Sequence, residues 1–211
     1  MKKRKTQGNL SNKGFTLVEL IVVIVILAIL AAILVPQLLG YIDRAKKQQY
    51  VLDAKNCMNA MQTKLIDMYA RGAPVGVQTR NNDSGQGGKD VSWRNTAIAK
   101  EVLATADDNP YFLIFGLGDY DTYKDVNPHK AYTVYFVMYW PAKDVDPIFF
   151  NGSEWINTYP WKKGQDGKNS FMVNGEMINL EMYIITAPNS NISSDWGLIK
   201  NYLDKHGLYN K

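Results

Sequence analysis

The hydrophobic residues of the chain are concentrated in one uninterrupted stretch near its beginning. Residues 20–35 are all apolar, and residues 15–35 form a 21-residue segment that only Thr16 and Glu19 interrupt. At about 1.5 Å of rise per residue, a helix of this length spans roughly 31 Å, which is the thickness of the hydrocarbon core of a bilayer. The pattern therefore predicts a membrane-spanning helix.

A second hydrophobic pattern continues the same helix beyond the apolar stretch. Apolar residues recur at alternating spacings of three and four positions: Val51, Ala54, Met58, Met61, Leu65 and Met68. This heptad-like spacing is typical of a helix that buries one face against a protein core. Gly72 and Pro74 predict that the helix ends near Ala70, and Pro36 predicts a kink or a locally loosened turn within it.

The residues after this helix show the shorter patterns of a mixed α and β domain. Residues 72–90 are rich in glycine and asparagine, so they predict a loop. We expect Ser92 to cap a helix that runs to about Ala104. The short apolar run at residues 111–116 predicts a strand.

Alternation with a period of two predicts further strands. Every second residue of the segment 132–140 is apolar, which indicates a strand with one preferred core face. Two Asn-Gly pairs, Asn151-Gly152 and Asn174-Gly175, each lie between apolar segments, and this is the strongest short-range signal of a β-hairpin.

The predicted fold class is α+β. A long N-terminal helix, membrane-spanning in its first half and amphipathic in its second, would pack on a sheet of four or five antiparallel strands. A short last helix, capped by Ser193 or Ser194, would run through His206 and stop at Gly207. The first half of the long helix cannot be covered by this head, so its apolar surface requires the membrane or copies of itself.

Charge and composition exclude several classes of function. The net charge is +4, but residues 1–14 contribute +5, so the remainder carries −1 and does not predict a nucleic-acid surface. The single cysteine, Cys57, rules out an intrachain disulfide and any cysteine-based metal cluster. The sequence shows no nucleophile–base pair or phosphate-binding loop, so we expect a protein that is not an enzyme.

The residues around the start of the apolar stretch form a specific motif: Lys13-Gly14-Phe15-Thr16-Leu17-Val18-Glu19-Leu20. The motif resembles the prepilin cleavage and methylation site of type IV pilins and their pseudopilin relatives. The shared features are a basic leader, glycine before the cut, phenylalanine after it, glutamate at the fifth position of the processed chain, and a proline late in the apolar run. The resemblance covers roughly residues 1–60.

This resemblance implies a course of processing and assembly. A membrane-bound prepilin peptidase would cut between Gly14 and Phe15 and N-methylate Phe15, and no side chain at Gly14 would hinder its approach. Glu19 would pair with the terminal amine of a neighbouring subunit, because an unpaired carboxylate in hydrocarbon is costly. The helix near Pro36 would either melt during assembly or simply kink.

The same resemblance implies an organisation and a location. Residues 1–14 would be a removed leader, 15–36 the transmembrane and assembly half of the helix, 37–71 its amphipathic half, and 72–211 the globular head. Before assembly the chain would cross the inner membrane once, with the basic leader in the cytoplasm and the head outside. Afterwards it would lie in an extracellular pilus.

Three functions remain open at this point. The first is a structural subunit of a type IV pilus, with the prepilin peptidase, other pilin subunits and the pilus assembly platform as partners. The second is a pseudopilin of a type II secretion or DNA-uptake machine. The third is a pilin-anchored adhesin or glycan-binding minor pilin, whose best surface candidates would be Trp155, Tyr159 and Trp161, unless these aromatic residues fill the core instead.

A metal site is the remaining candidate feature of the head. Asp119, Asp121 and Asp125 lie in an acidic, loop-like segment, and calcium prefers several oxygen ligands. The segment lacks the glycine and distal glutamate of an EF-hand loop, so a solvated turn is the competing interpretation. No other cofactor is expected. The family often closes its C-terminal region with a disulfide, which this chain cannot form.

Overall fold

A computed structural model describes residues 14–75, 90–162, 170–189 and 192–210. The chain divides into two compact units, Met1–Lys47 and Gln48–Lys211. Helix α1, Leu17–Ala70, contributes residues to both units.

The first unit consists, in its described part, of three non-helical residues followed by the beginning of α1. The helix continues through Pro36 without a break in its assignment. Its large apolar side chains are exposed, and by length and composition α1 is able to cross a membrane.

In the second unit, α1 buries the predicted face. Its buried residues are Ala54, Cys57, Ala60, Met61, Leu65 and Met68. The heptad pattern is thus confirmed, with Cys57 and Ala60 added to it, while Val51 and Met58 are partly buried. The helix ends as predicted. Gly72 has a φ of +64°, its N–H donates to the Tyr69 carbonyl at 3.0 Å, and the Ala73 N–H donates to the Met68 carbonyl at 2.9 Å, forming a Schellman cap.

The rest of the second unit contains seven strands and four helices within its described residues. The strands are β1 (Asp90–Ser92), β2 (Phe112–Gly118), β3 (Val134–Trp140), β4 (Ile148–Phe150), β5 (Trp155–Ile156), β6 (Ser170–Val173) and β7 (Glu176–Thr186). The helices are α2 (Ala97–Ala106), α3 (Tyr120–Tyr123), α4 (Pro128–Ala131) and α5 (Ile192–His206). The strand order is β1-β7-β2-β3-β4-β5, and β6 forms a hairpin with β7.

The sheet is therefore larger than the four or five strands that the pattern predicts. All strand pairs are antiparallel except β1 and β7, which run parallel. Both Asn-Gly hairpins are confirmed. Asn174 and Gly175 have φ values of +50° and +82°, and they connect Val173 directly to Glu176. In the other hairpin, the side-chain oxygen of Asn151 accepts hydrogen bonds from the N–H groups of Ser153 and Glu154 in the connecting loop.

The sheet buries both of its faces, which corrects the expectation of one core face. The first core contains the buried side of α1 together with sheet residues such as Phe115, Val137 and Tyr183. The second core contains alternate residues of the same strands, such as Phe136 and Met138, packed with α5. The alternation in the sequence could not reveal this, because aromatic and aliphatic residues fill both phases of β3.

A bulge in β3 is a second departure from the alternation that the sequence predicts. Gly116 pairs with Phe136, but Leu117 pairs with Val134, so Tyr135 is an extra residue in the ladder. As a result Val134 lies in the first core and Phe136 in the second, although they are two positions apart. The expected alternation across residues 132–140 is interrupted at this point.

Two helix starts also differ from the prediction. Ser92 does not cap a helix, because it lies in β1 and pairs with Ile184. Thr96 caps α2 instead, and its hydroxyl accepts a hydrogen bond from the Ala99 N–H at 3.2 Å. Helix α5 begins at Ile192, so the two serines proposed as its cap lie within it. Most of the loop predicted at residues 72–90 lies outside the described residues.

Candidate processing and assembly site

The bond predicted to be cleaved lies in the short segment that precedes α1. Gly14, Phe15 and Thr16 are not helical, and all three are exposed. The Phe15 side chain is 85% exposed, and no described residue lies within 4 Å of the position that a Cβ would take at Gly14. The peptide bond between Gly14 and Phe15 is therefore sterically open. Residues 1–13 lie outside the described part of the chain.

Thr16 and Glu19 form a reciprocal cap on the first turn of α1. The Thr16 N–H and hydroxyl both donate to Glu19 Oε2 at 2.8 Å, and the Glu19 N–H donates to the Thr16 hydroxyl at 3.2 Å. This is a capping box, which satisfies backbone N–H groups that a helix start leaves unpaired. Sequence reasoning assigned Glu19 to subunit pairing and missed this local role, although the Thr-x-x-Glu spacing signals it.

The apolar surface that follows has no cover among the described residues of its own unit. The side chains from Leu20 to Val35 are all exposed, and the large ones among them are between 49% and 60% accessible. Such a large exposed apolar surface marks a contact with lipid or with another protein. Pro36 has no N–H, so the carbonyl of Ala32 lacks the usual helical donor there.

A second exposed strip lies on the part of α1 within the head unit. It contains only uncharged residues, at heptad-like spacing: Leu52, Asn56, Asn59, Thr63, Ile66 and Ala70. On a helical projection this strip lies opposite the buried face, because its members are offset by about half a turn. Sequence reasoning identified the buried stripe but not this outer strip.

Comparison with known proteins agrees with the motif. The model of the prokaryotic N-terminal methylation motif matches residues 9–35. The chain is 31% identical to the type IV major fimbrial protein FimA of Dichelobacter nodosus over 121 residues, which is 49% of this chain and 78% of that protein. It is 42% identical to the type II secretion system core protein G of Aeromonas hydrophila over 102 residues, which is 48% of this chain and 71% of that protein.

The chain belongs to the type IV pilin and pseudopilin family. A further relative, core protein G of Escherichia coli K12, is 44% identical over 55 residues, covering 26% of this chain and 38% of that protein. No solved structure shows a significant match.

The acidic segment of this pilin-family head does not assemble a metal site among the described residues. No group of three or more histidine, cysteine, aspartate or glutamate residues there could hold a metal. Asp119 is buried and accepts a hydrogen bond from the Thr122 N–H at 2.8 Å, which caps α3. Asp121 pairs with Lys124 at 3.3 Å, and Asp125 is exposed. The calcium site stays a prediction that this geometry does not support.

The aromatic candidates for surface binding do not form a surface. Tyr159 and Trp161 are buried in the second core, where their ring centroids lie 5.0 Å apart. Trp155 is half-buried and packs against Phe150 at the edge of the first core. The burial of two of the three corrects the expectation of an exposed aromatic cluster and agrees with the alternative that these residues fill the core.

Cys57 is a buried thiol on the apolar face of α1. Its Sγ lies 3.7 Å from Asp108 Oδ2, and the Tyr139 hydroxyl donates to the same oxygen at 2.7 Å. Burial, with the nearby Asp108 carboxylate, raises the pKa of the Cys57 thiol. A neutral thiol is a poor nucleophile, so the group is suited to packing rather than to chemistry.

Proposed function

We propose that the chain is a structural subunit of a type IV pilus. It is cut between Gly14 and Phe15, N-methylated at Phe15, and polymerised through α1. The observation that carries the proposal is the uncovered apolar surface of α1 directly after a matched methylation motif. The relationship to a protein named as a major fimbrial protein supports a role in a filament rather than in catalysis.

Removal of the leader changes the electrostatics of the helix start. It discards five positive charges and creates an α-amine on Phe15, four residues before Glu19, whose carboxylate caps the helix. A carboxylate in a hydrocarbon environment is costly unless it is paired. Pairing of Glu19 with the Phe15 amine of an adjacent subunit would therefore give subunit addition a direction and a register.

The outer strip on α1 is a suitable second contact between subunits. Its residues are uncharged and exposed, and helices pack together through rows of side chains at this spacing. The partners of the chain would then be homologous subunits, the prepilin peptidase and an assembly platform in the inner membrane. The head would lie outside the cytoplasm before and after assembly.

A pseudopilin of a type II secretion machine is the second candidate. The relatives named as core protein G have higher identities, up to 47% over 57 residues, but that match spans 34% of the relative and 27% of this chain. The methylation motif and the first helix are common to both kinds of protein, so they do not separate the two functions.

The N-terminus of the mature protein tests the processing step. We expect mass spectrometry of sheared surface filaments from the native host to find an abundant peptide that begins with N-methylated Phe15. A mature terminus near Ala32 or Ile33 would instead indicate ordinary secretion and would contradict the proposal. Correct processing without surface filaments, in cells that secrete through an adjacent machine, would favour the pseudopilin.

Substitution of Glu19 tests the pairing step. The Glu19→Ala variant should insert in the membrane and lose its leader, but it should not enter filaments that contain only this variant. Thr16→Val is the matched control, because it removes the hydroxyl of the capping box and leaves the carboxylate. Filament formation by Glu19→Ala at the parent level would contradict the pairing of Glu19 with the neighbouring amine.

The outer strip has its own test. Ile66 is 59% exposed, and Ile66→Lys places a charge in the strip without disturbing the buried face. Met172, in β6, is 56% exposed, so Met172→Lys makes the same change at equal exposure away from α1. We expect filament yield to fall for Ile66→Lys and not for Met172→Lys. Equal yields would show that the strip does not mediate subunit contact.

A further inference from the structure

Helix α5 covers the second core and is fastened without a covalent bond. Ile199 and Leu203 are buried in the second core, and α5 follows β7 in the chain. The chain has a single cysteine, so no intrachain disulfide can close this region. Whatever holds α5 in place must consist of packing, hydrogen bonds and ion pairs.

A buried ion pair holds the N-terminal end of α5. The Asp195 side chain is 0% exposed, and its Oδ2 lies 2.9 Å from Nη1 of Arg94, whose side chain is 14% exposed. Asp195 Oδ1 accepts a hydrogen bond from the Asn189 N–H at 3.2 Å. The same Nη1 of Arg94 also donates to the Asn189 carbonyl. Both oxygens of the carboxylate are thus engaged.

These contacts join three separate segments of the chain. Arg94 lies two residues after β1, Asn189 lies three residues after β7, and Asp195 lies in the first turn of α5. At the other end of α5, the Tyr159 N–H donates to the Leu208 carbonyl at 2.7 Å. The C-terminal end is thus held by a backbone bridge, and the N-terminal end by a buried ion pair.

The energetics of a buried pair differ from those of a surface pair. Burial raises the pKa of the Asp195 carboxyl, against the lowering effect of the Arg94 guanidinium. Removing one member of a buried pair leaves the other charge unpaired and desolvated, which is strongly destabilising, whereas replacing both charges is often nearly neutral. Loss of one charge of this pair should therefore strongly favour the opening of α5.

The two cores allow α5 to open separately. The first core contains α1 and one face of the sheet, while α5 contributes to the second core only. Elements with few buried contacts open locally, with free energies below that of global unfolding. We propose that the Arg94–Asp195 pair is a latch that controls opening of α5 from the second core, and that α5 opens as a unit while the first core stays closed.

Hydrogen exchange of the full-length chain in detergent micelles tests this proposal. Asp195→Asn should make the amides of α5 and of residues 208–210 exchange about a hundredfold faster. The buried amides of α1 after Gln48, and those of β2 and β3 in the first core, should keep their parent rates. The double variant Arg94→Gln/Asp195→Asn, whose side-chain amides can hydrogen-bond without charge, should recover protection to within about tenfold of the parent.

A pair with an exposed carboxylate supplies the matched control. Lys64 Nζ lies 2.5 Å from Glu101 Oε2, and the two side chains are 15% and 55% exposed. Glu101→Gln should leave every exchange rate unchanged, because an ion pair whose carboxylate is in contact with solvent contributes little. The proposal is overturned if Asp195→Asn leaves α5 as protected as the parent, or if it exposes the first core to the same extent as α5. It is also overturned if the double variant is no better protected than Asp195→Asn.

Discussion

The side-chain amide of Gln62 holds the beginning of β3 against α1. Its Oε1 accepts a hydrogen bond from the Val134 N–H at 3.0 Å, and its Nε2 donates to the Tyr132 carbonyl at 2.9 Å. One side chain on the helix thus pairs with the backbone on both sides of Thr133. This contact joins α1 to the sheet just before the bulge in β3.

Replacement of Gln62 by leucine should destabilise the head. The change leaves the Val134 N–H and the Tyr132 carbonyl without their partner, and each unpaired, partly buried group costs about 1–3 kcal/mol. Denaturant unfolding of the full chain in detergent measures the loss. Gln49→Leu is the control, because Gln49 is exposed and its side chain donates to Asp53 on the same helix. Equal free energies of unfolding for the two variants would contradict the role of Gln62.

Gly118 and Gly197 should respond oppositely to alanine. A Cβ at Gly118 would overlap the backbone carbonyl oxygen of Lys130, so Gly118→Ala should cost about 1–3 kcal/mol or more. Gly197 lies within α5, and no atom of the described residues lies within 4 Å of a new Cβ, so Gly197→Ala should gain about 0.5–1 kcal/mol. Thermal unfolding measures both changes. Destabilisation by Gly197→Ala would show that Gly197 does not occupy an open position within α5.

Tyr132 should make the head less stable at alkaline pH. Burial raises the pKa of Tyr132 to about 12, and its hydroxyl donates to the Ala73 carbonyl at 2.9 Å. The neutral phenol is favoured in the folded state, so its contribution is complete below pH ~10 and is lost as pH rises toward 12.

The measurement is the free energy of unfolding as a function of pH. Tyr132→Phe should be less stable than the parent at pH 8, because it lacks the hydrogen bond, but it should lose less stability between pH 10 and 12. Tyr41→Phe changes an exposed side chain and should leave the profile as it is. A parent and a Tyr132→Phe variant with parallel profiles would refute the assignment.

Cys57 should react slowly with thiol reagents until the head unfolds. Its side chain is fully buried, and its raised pKa keeps it protonated at neutral pH. We expect labelling by a disulfide reagent to be at least about a hundredfold slower in the folded chain than in denaturant. A Lys55→Cys/Cys57→Ala variant, with the thiol on the exposed side of α1, should react at the unfolded rate in both conditions. Rapid labelling of native Cys57 would place it outside the core.

Local signals in the sequence determined several elements directly. The spacing of the apolar residues predicts the buried face of α1. Gly72 predicts the end of the helix, because the cap needs a residue in the left-handed conformation, which glycine adopts without strain. The two hairpins follow from Asn-Gly pairs, in which Gly152, Asn174 and Gly175 adopt positive φ at low cost. The motif from Gly14 to Glu19 indicates the family without reference to any tertiary contact.

Other features depended on residues far apart in the chain. The second core exists because α5 packs on the sheet face that α1 leaves open, and no spacing within β3 distinguishes the two faces. Tyr159 and Trp161 are buried only because that core surrounds them. The sequence by itself determined the elements whose hydrogen bonds or buried face involve residues that are close together in the chain. The tertiary structure decided the burial of both sheet faces, the bulge and the Arg94–Asp195 pair, because each requires contacts between segments whose proximity no local pattern encodes.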